Sequence, residues 1–154
     1  MNHAEAIRSE RKIFSTRSFN APRELVWQAW TDPAKIIHWW GPDGFTTTID
    51  KMDFRVGGEW LFTMHGPDGT DYPNHKTFLE IIVPERIVMA HNGPPKHTMT
   101  ITFEADGEGT RLTMLHVFES LTDHDLAVNT HRAVEGAIQH LARLDEFLAS
   151  AEQP

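Results

Sequence analysis

TDHDLAVNTHRAVEGAIQHLARLDEFLAS, residues Thr122 to Ser150, has more continuous apolar periodicity than any other part of the chain. Thr130, Val134, Ala137, Leu141, Leu144 and Leu148 recur at alternating steps of four and three, which places them on one face of a helix. Ala127, Ala133 and Ile138 widen the stripe, and Arg132, Glu135, Gln139, Arg143 and Glu146 fall opposite. Thr122 followed by Asp125 has the spacing of a capping box. The pattern predicts one long helix, roughly 40 Å at about 1.5 Å per residue. Such a helix cannot bury its stripe alone, so a broad surface must cover it.

The preceding chain supplies that surface, and it reads mostly as strands. Lys12–Phe19 is the first, with Ile13, Phe14 and Phe19 as its apolar members, stopped by Ala21-Pro22. Two short helices follow, Arg23–Trp30 and Ala34–Trp39. The second is announced by Asp32-Pro33, an N-cap acid before a proline at the first helical position. From Phe45 the period changes to two. Phe45, Thr47 and Ile49 have one parity and Met52, Phe54 and Val56 the other, so a bulge or break lies between. Trp60, Phe62 and Met64 alternate with Glu59, Leu61, Thr63 and His65 up to the turn Gly66-Pro67-Asp68-Gly69. Thr77–Val83, Arg86–His91, His97–Glu104 and Thr110–Phe118 complete the set. Closely spaced strands with tight turns argue an antiparallel sheet. An α+β fold, with a curved sheet of about six or seven strands wrapped on the final helix, buries both apolar faces.

Length predicts one domain over residues 11–150, preceded by a flexible arm at residues 1–10. A 40% hydrophobic and 23% charged composition is that of a globular protein. The net charge of −8 argues against nucleic-acid binding. No apolar run reaches the length of a membrane span, and the polar N-terminus lacks a secretory signal. The chain has no cysteine, which excludes disulfides and fits a cytoplasmic location.

The succession of elements is similar to the helix-grip fold of the START-like (SRPBCC) superfamily. More narrowly, the chain resembles bacterial single-domain proteins related to the C-terminal domain of the activator of heat-shock-protein-90 ATPase. The stretches that carry the resemblance are Arg17-Ser-Phe-Asn-Ala-Pro-Arg-Glu-Leu-Val-Trp27, Trp30-Thr-Asp-Pro33, Trp39-Trp-Gly-Pro42, Gly57-Gly58, Gly66-Pro-Asp-Gly69, Pro84-Glu-Arg-Ile-Val88 and Gly109-Thr-Arg-Leu-Thr113. The resemblance implies a cavity between sheet and helix but no single activity. Where relatives commonly carry Gly-Trp, this chain has Ala133-Val134, and the loss of the indole implies a larger cavity or an altered cavity mouth.

Ten histidines raise the question of metal binding, but no HExxH occurs, and only His124 and His131 share an identified helix at recognisable spacing. No metal and no cofactor are expected. By alternation His116 joins Leu112 and Met114 on the inward face, and His97 joins Met99 and Ile101. Both are either satisfied core-edge histidines or polar points on an apolar cavity wall. Glu80 alternates with Phe78 and Ile82 and points inward; otherwise it is an exposed strand residue or a partner for Arg17. Asp145 reads as a solvated edge residue. The expected wall comprises Trp39, Trp60, Phe62, Met64, Phe78, Glu80, His97, Met99, Ile101, Met114 and His116, faced by Asn129, Ala133 and Val134. Trp40 reads more as a packing plug.

The leading expectation is a binding protein for a small, largely apolar ligand. The alternatives are a cyclase, dehydratase or hydrolase using His97, His116 and Glu80, or a chaperone-associated stress protein. A homodimer stays open, and a chaperone partner has no support in the residues themselves.

Overall fold

The computed structural model describes residues 5–9 and 11–151. In chain order the elements are β1 (Glu5–Ser9), β2 (Lys12–Phe19), α1 (Arg23–Thr31), α2 (Pro33–Ile36), β3 (Thr46–Met52), β4 (Glu59–His65), β5 (Asp71–Ile82), β6 (Arg86–His91), β7 (His97–Asp106) and β8 (Gly109–Phe118). A broken helical segment then closes the chain: α3 (Leu121–Asp125), a π-helical turn (Leu126–Thr130) and α4 (Ala133–Ala151). Every strand pairing is antiparallel, and the order across the curved sheet is β1-β2-β8-β7-β6-β5-β4-β3. The α+β helix-grip architecture is the one the sequence predicts, with two short helices after β2.

The sheet has an eighth strand because residues 5–9, within the expected arm, pair with β2. Residues 1–4 and 10 lie outside the described residues. The expected bulge in β3 falls between Ile49 and Lys51. Gly57 has φ +83° in the tight turn that follows, and a Cβ on Gly58 would meet the Asp53 carbonyl oxygen, so the Gly57-Gly58 pair is needed as it stands.

The final helix departs from its expected single span. Ser120, not Thr122, is the N-cap, its Oγ accepting from the Asp123 N–H. The winding widens at Leu126–Thr130, and His131 N–H reaches back to the Leu126 carbonyl. Arg132 then takes φ 52°, the left-handed conformation that ends helices. The chain passes there through Asn129, Thr130 and His131, residue types that favour helix only weakly. α4 restarts with a new phase and spans about 28 Å. Its lower half keeps the predicted stripe, with Leu141, Leu144 and Leu148 buried among Trp30, Trp39, Ile101 and Phe103. Ile138, expected to widen the stripe, is exposed.

Candidate ligand-binding pocket

The loop between α2 and β3 lies across α4 and is tied to it by backbone groups. Gly41 N–H donates to Nδ1 of His140 at 3.1 Å, and Asp43 N–H donates to Oε1 of Gln139 at 3.1 Å. The Arg143 guanidinium donates to the carbonyls of Trp40, Gly41 and Pro42 at 3.1, 3.0 and 2.9 Å. Gln139 and Arg143 were expected to face solvent. They instead satisfy a loop whose carbonyls converge on the helix. Gly41 has φ +99°, and a Cβ there would press on Met64 and Phe45, so a side chain cannot replace the hydrogen there without strain.

This strapping holds open one end of a pocket of about 690 Å³ between the sheet and the start of α4. Ala133, Gly136, Ala137 and His140 form its helix side. Three of these four are small, at i, i+3, i+4 and i+7, so the helix presents little bulk to the sheet. On the sheet side Phe62, Met64, Met99 and Met114 supply an apolar wall, with Trp40 at the end.

The polar part is a ladder set by strand register. Lys76 on β5 lies opposite His91 on β6, and His91 lies opposite His97 on β7. His116 on β8 sits diagonally from His97. The His91 and His97 rings stack with centroids 4.9 Å apart, and His97 and His116 lie 5.3 Å apart. Lys76 is 5% exposed, and its Nζ donates to Nδ1 of His91 at 3.3 Å. Burial lowers the Lys76 ammonium from 10.5 to about 8. Burial, reinforced by the Lys76 charge, also lowers His91 to about 3 and His116 to about 4, and pushes His97 further down. His140 falls to about 3 through burial, with His116 adding to it. At neutral pH the ladder is therefore one cation among neutral imidazoles. Nδ1 of His140 accepts from Gly41, so the neutral ring carries its proton on Nε2, which is buried without a partner. Nδ1 of His116 is likewise buried and unpartnered among the described residues.

The structure thus brings together seven of the residues expected on the wall: Phe62, Met64, His97, Met99, Met114, His116 and Ala133. Trp39, Trp60, Phe78 and Ile101 are core residues behind it, each no more than 1% exposed. Trp39 donates its indole N–H to the Ala29 carbonyl and is the plug, while Trp40 faces the pocket. Asn129 is exposed on the π-turn. Val134 is not on the pocket lining; with Ala133 it packs against a second cluster of Ile13, Phe118 and Ala127. Glu80 is turned outward because β5 bulges between Phe78 and Glu80. Its carboxylate pairs with Arg86 at 2.9 Å on the outer face, the exposed-strand reading. Arg17 pairs with Asp145 at 3.1 Å. With Glu80 gone, the enzyme alternative loses the acid it was built on.

Sequence reading missed Lys76, His91 and His140. Lys76 has the inward parity of Phe78, but it fell outside a strand whose start was placed at Thr77 rather than Asp71. His91 has the parity of Ile87 and Met89. His140 follows Ala133 and Gly136 by seven and four residues, a position overlooked beside the leucine stripe.

No group of three or more His, Cys, Asp or Glu side chains among the described residues is placed to hold a metal ion. No helix among them is long and apolar enough to cross a membrane.

A curved antiparallel sheet closed over a C-terminal helix, with a pocket between them, defines a helix-grip protein. The chain belongs to the activator of Hsp90 ATPase homolog 1-like family, whose model matches residues 20–149. Its fold is similar to that of a protein from Arthrobacter aurescens at 23% identity, with a TM-score of 0.88 over 95% of this chain and 91% of that one. A Mycobacterium smegmatis protein at 24% identity has a TM-score of 0.85, covering 96% and 98%. An Aeromonas hydrophila protein of the same family, at 22% identity, has a TM-score of 0.70, covering 90% and 93%. No curated protein matches the chain.

Proposed function

We propose that the protein binds a small, largely apolar molecule in the pocket between the sheet and α4. The observation that carries this reading is a concave space of about 690 Å³ with a continuous apolar wall and a few convergent polar atoms. That size and lining are typical of small-molecule sites. Well-packed interiors leave few voids larger than a water molecule, so a space of this kind calls for an occupant. The reading does not depend on a chaperone partner, although the family's name comes from one.

The test is binding of an environment-sensitive apolar dye to the native protein and to Ala133→Trp. Ala133 faces the pocket from the first turn of α4, so an indole there fills the space. The dye binds the native protein with about one-to-one stoichiometry, and the variant weakens it about tenfold or more while remaining folded. Undiminished binding to folded Ala133→Trp contradicts the reading.

A further inference from the structure

The floor of the pocket carries a positive charge with no counter-charge. Among the described residues, the only partner of the Lys76 ammonium is a ring nitrogen of His91. Every carboxylate on the pocket lining stands at its rim and is otherwise engaged or solvated. Asp71 is 62% exposed and bonded to His65, Glu135 is 51% exposed and paired with Arg132, and Asp43 is exposed. The other cation on the lining, Arg132, is 75% exposed. A buried ammonium without an anion is costly, and proteins ordinarily pair such a group. Its position on β5 is fixed by register with β4 and β6, so it cannot be withdrawn without breaking the ladder.

Resting on the proposed binding of an apolar molecule in this pocket, we infer that the ligand is a monocarboxylate, its carboxylate seated on Lys76 and its apolar body lying along Phe62, Met64, Met99 and Met114. One charge on the floor matches one charge on the ligand; a dianionic head would leave a negative charge buried. Lys76 stays protonated at neutral pH, and the neutral imidazoles beside it do not compete for the anion. The Nε2–H of His140, a residue on the same pocket lining, is buried without a partner among the described residues. The apolar wall separates this site from a general anion site, since an inorganic anion would leave that wall uncovered.

Calorimetry on the full chain at pH 7 tests this with decanoate and 2-naphthoate, each against its primary amide, on native protein and Lys76→Met. The native protein binds the carboxylate about ten- to a hundredfold tighter than the amide, the range of one charge-assisted hydrogen bond. Lys76→Met, close in volume, still binds the amides but loses the preference. Equal affinity of native protein for acid and amide overturns the carboxylate inference and leaves the apolar pocket standing, as does a preference that survives in Lys76→Met. If neither body binds in either form, the pocket reading fails with it.

Discussion

Lys76 and His91 stand opposite each other on neighbouring strands, with Nζ 3.3 Å from Nδ1 of the imidazole. The contact joins a buried cation to a base whose own protonation is suppressed by burial and by that cation. A buried ammonium with no anion beside it among the described residues is a cost to the fold.

Lys76→Met should therefore stabilise the ligand-free protein. Removing a desolvated charge without a counter-charge, at nearly constant volume, should raise stability by about 1–3 kcal/mol at pH 7. Denaturant titration checks this. A lower midpoint for the variant would mean that the ammonium is well satisfied as it is.

Acid should destabilise the protein well above the pH at which carboxylates protonate. His91, His116 and His140 sit at about 3, 4 and 3 when folded, against 6.5 when unfolded. The unfolded chain thus binds more protons over that window. Stability is fully present above pH 6.5 and is lost as pH falls toward 4, each histidine adding up to about 1.4 kcal/mol per pH unit. Denaturant midpoints at pH 7.5 and 5 measure the loss, and His116→Phe should reduce it. A midpoint unchanged across that interval contradicts the burial of these rings.

Arg143→Ala removes the donor shared by the carbonyls of Trp40, Gly41 and Pro42. The cost should be about 1.5–3 kcal/mol, that of hydrogen bonds to a charged group. The amides of residues 40–45 should exchange with solvent faster, and dye affinity should fall as the pocket's end loosens. Unaltered exchange there would show that the loop holds itself.

Leu141→Ala should cost about 2–5 kcal/mol, because Leu141 is fully buried in the stripe. Glu146→Ala, exposed on the same helix, should change stability by less than about 0.5 kcal/mol. Equal denaturant midpoints would place the helix face elsewhere.

The two periodicities made most of the fold legible. Leu141, Leu144 and Leu148 repeat with the helix, while Met99, Ile101 and Phe103 alternate with the strand, and both patterns hold in the structure. Where local geometry shifts phase, parity fails. The bulge after Phe78 reverses Glu80, and the π-turn with the left-handed Arg132 interrupts the single helix read through Thr130. Apolar spacing records neither. The ladder Lys76–His91–His97–His116 depends on register across four strands. A single sequence reveals each strand's faces but not which residues stand opposite one another.

The central claim, that the space between sheet and α4 receives a ligand, is tested most directly by methionine-methyl NMR during titration with decanoate. Met64, Met99 and Met114 line the pocket, whereas Met52 and Met89 lie outside it in the same molecule. Saturable shifts at Met64, Met99 and Met114, with Met52 and Met89 nearly still, are the predicted result. Shifts confined to Met52 and Met89, or none at saturating decanoate and likewise none with its amide, would contradict it.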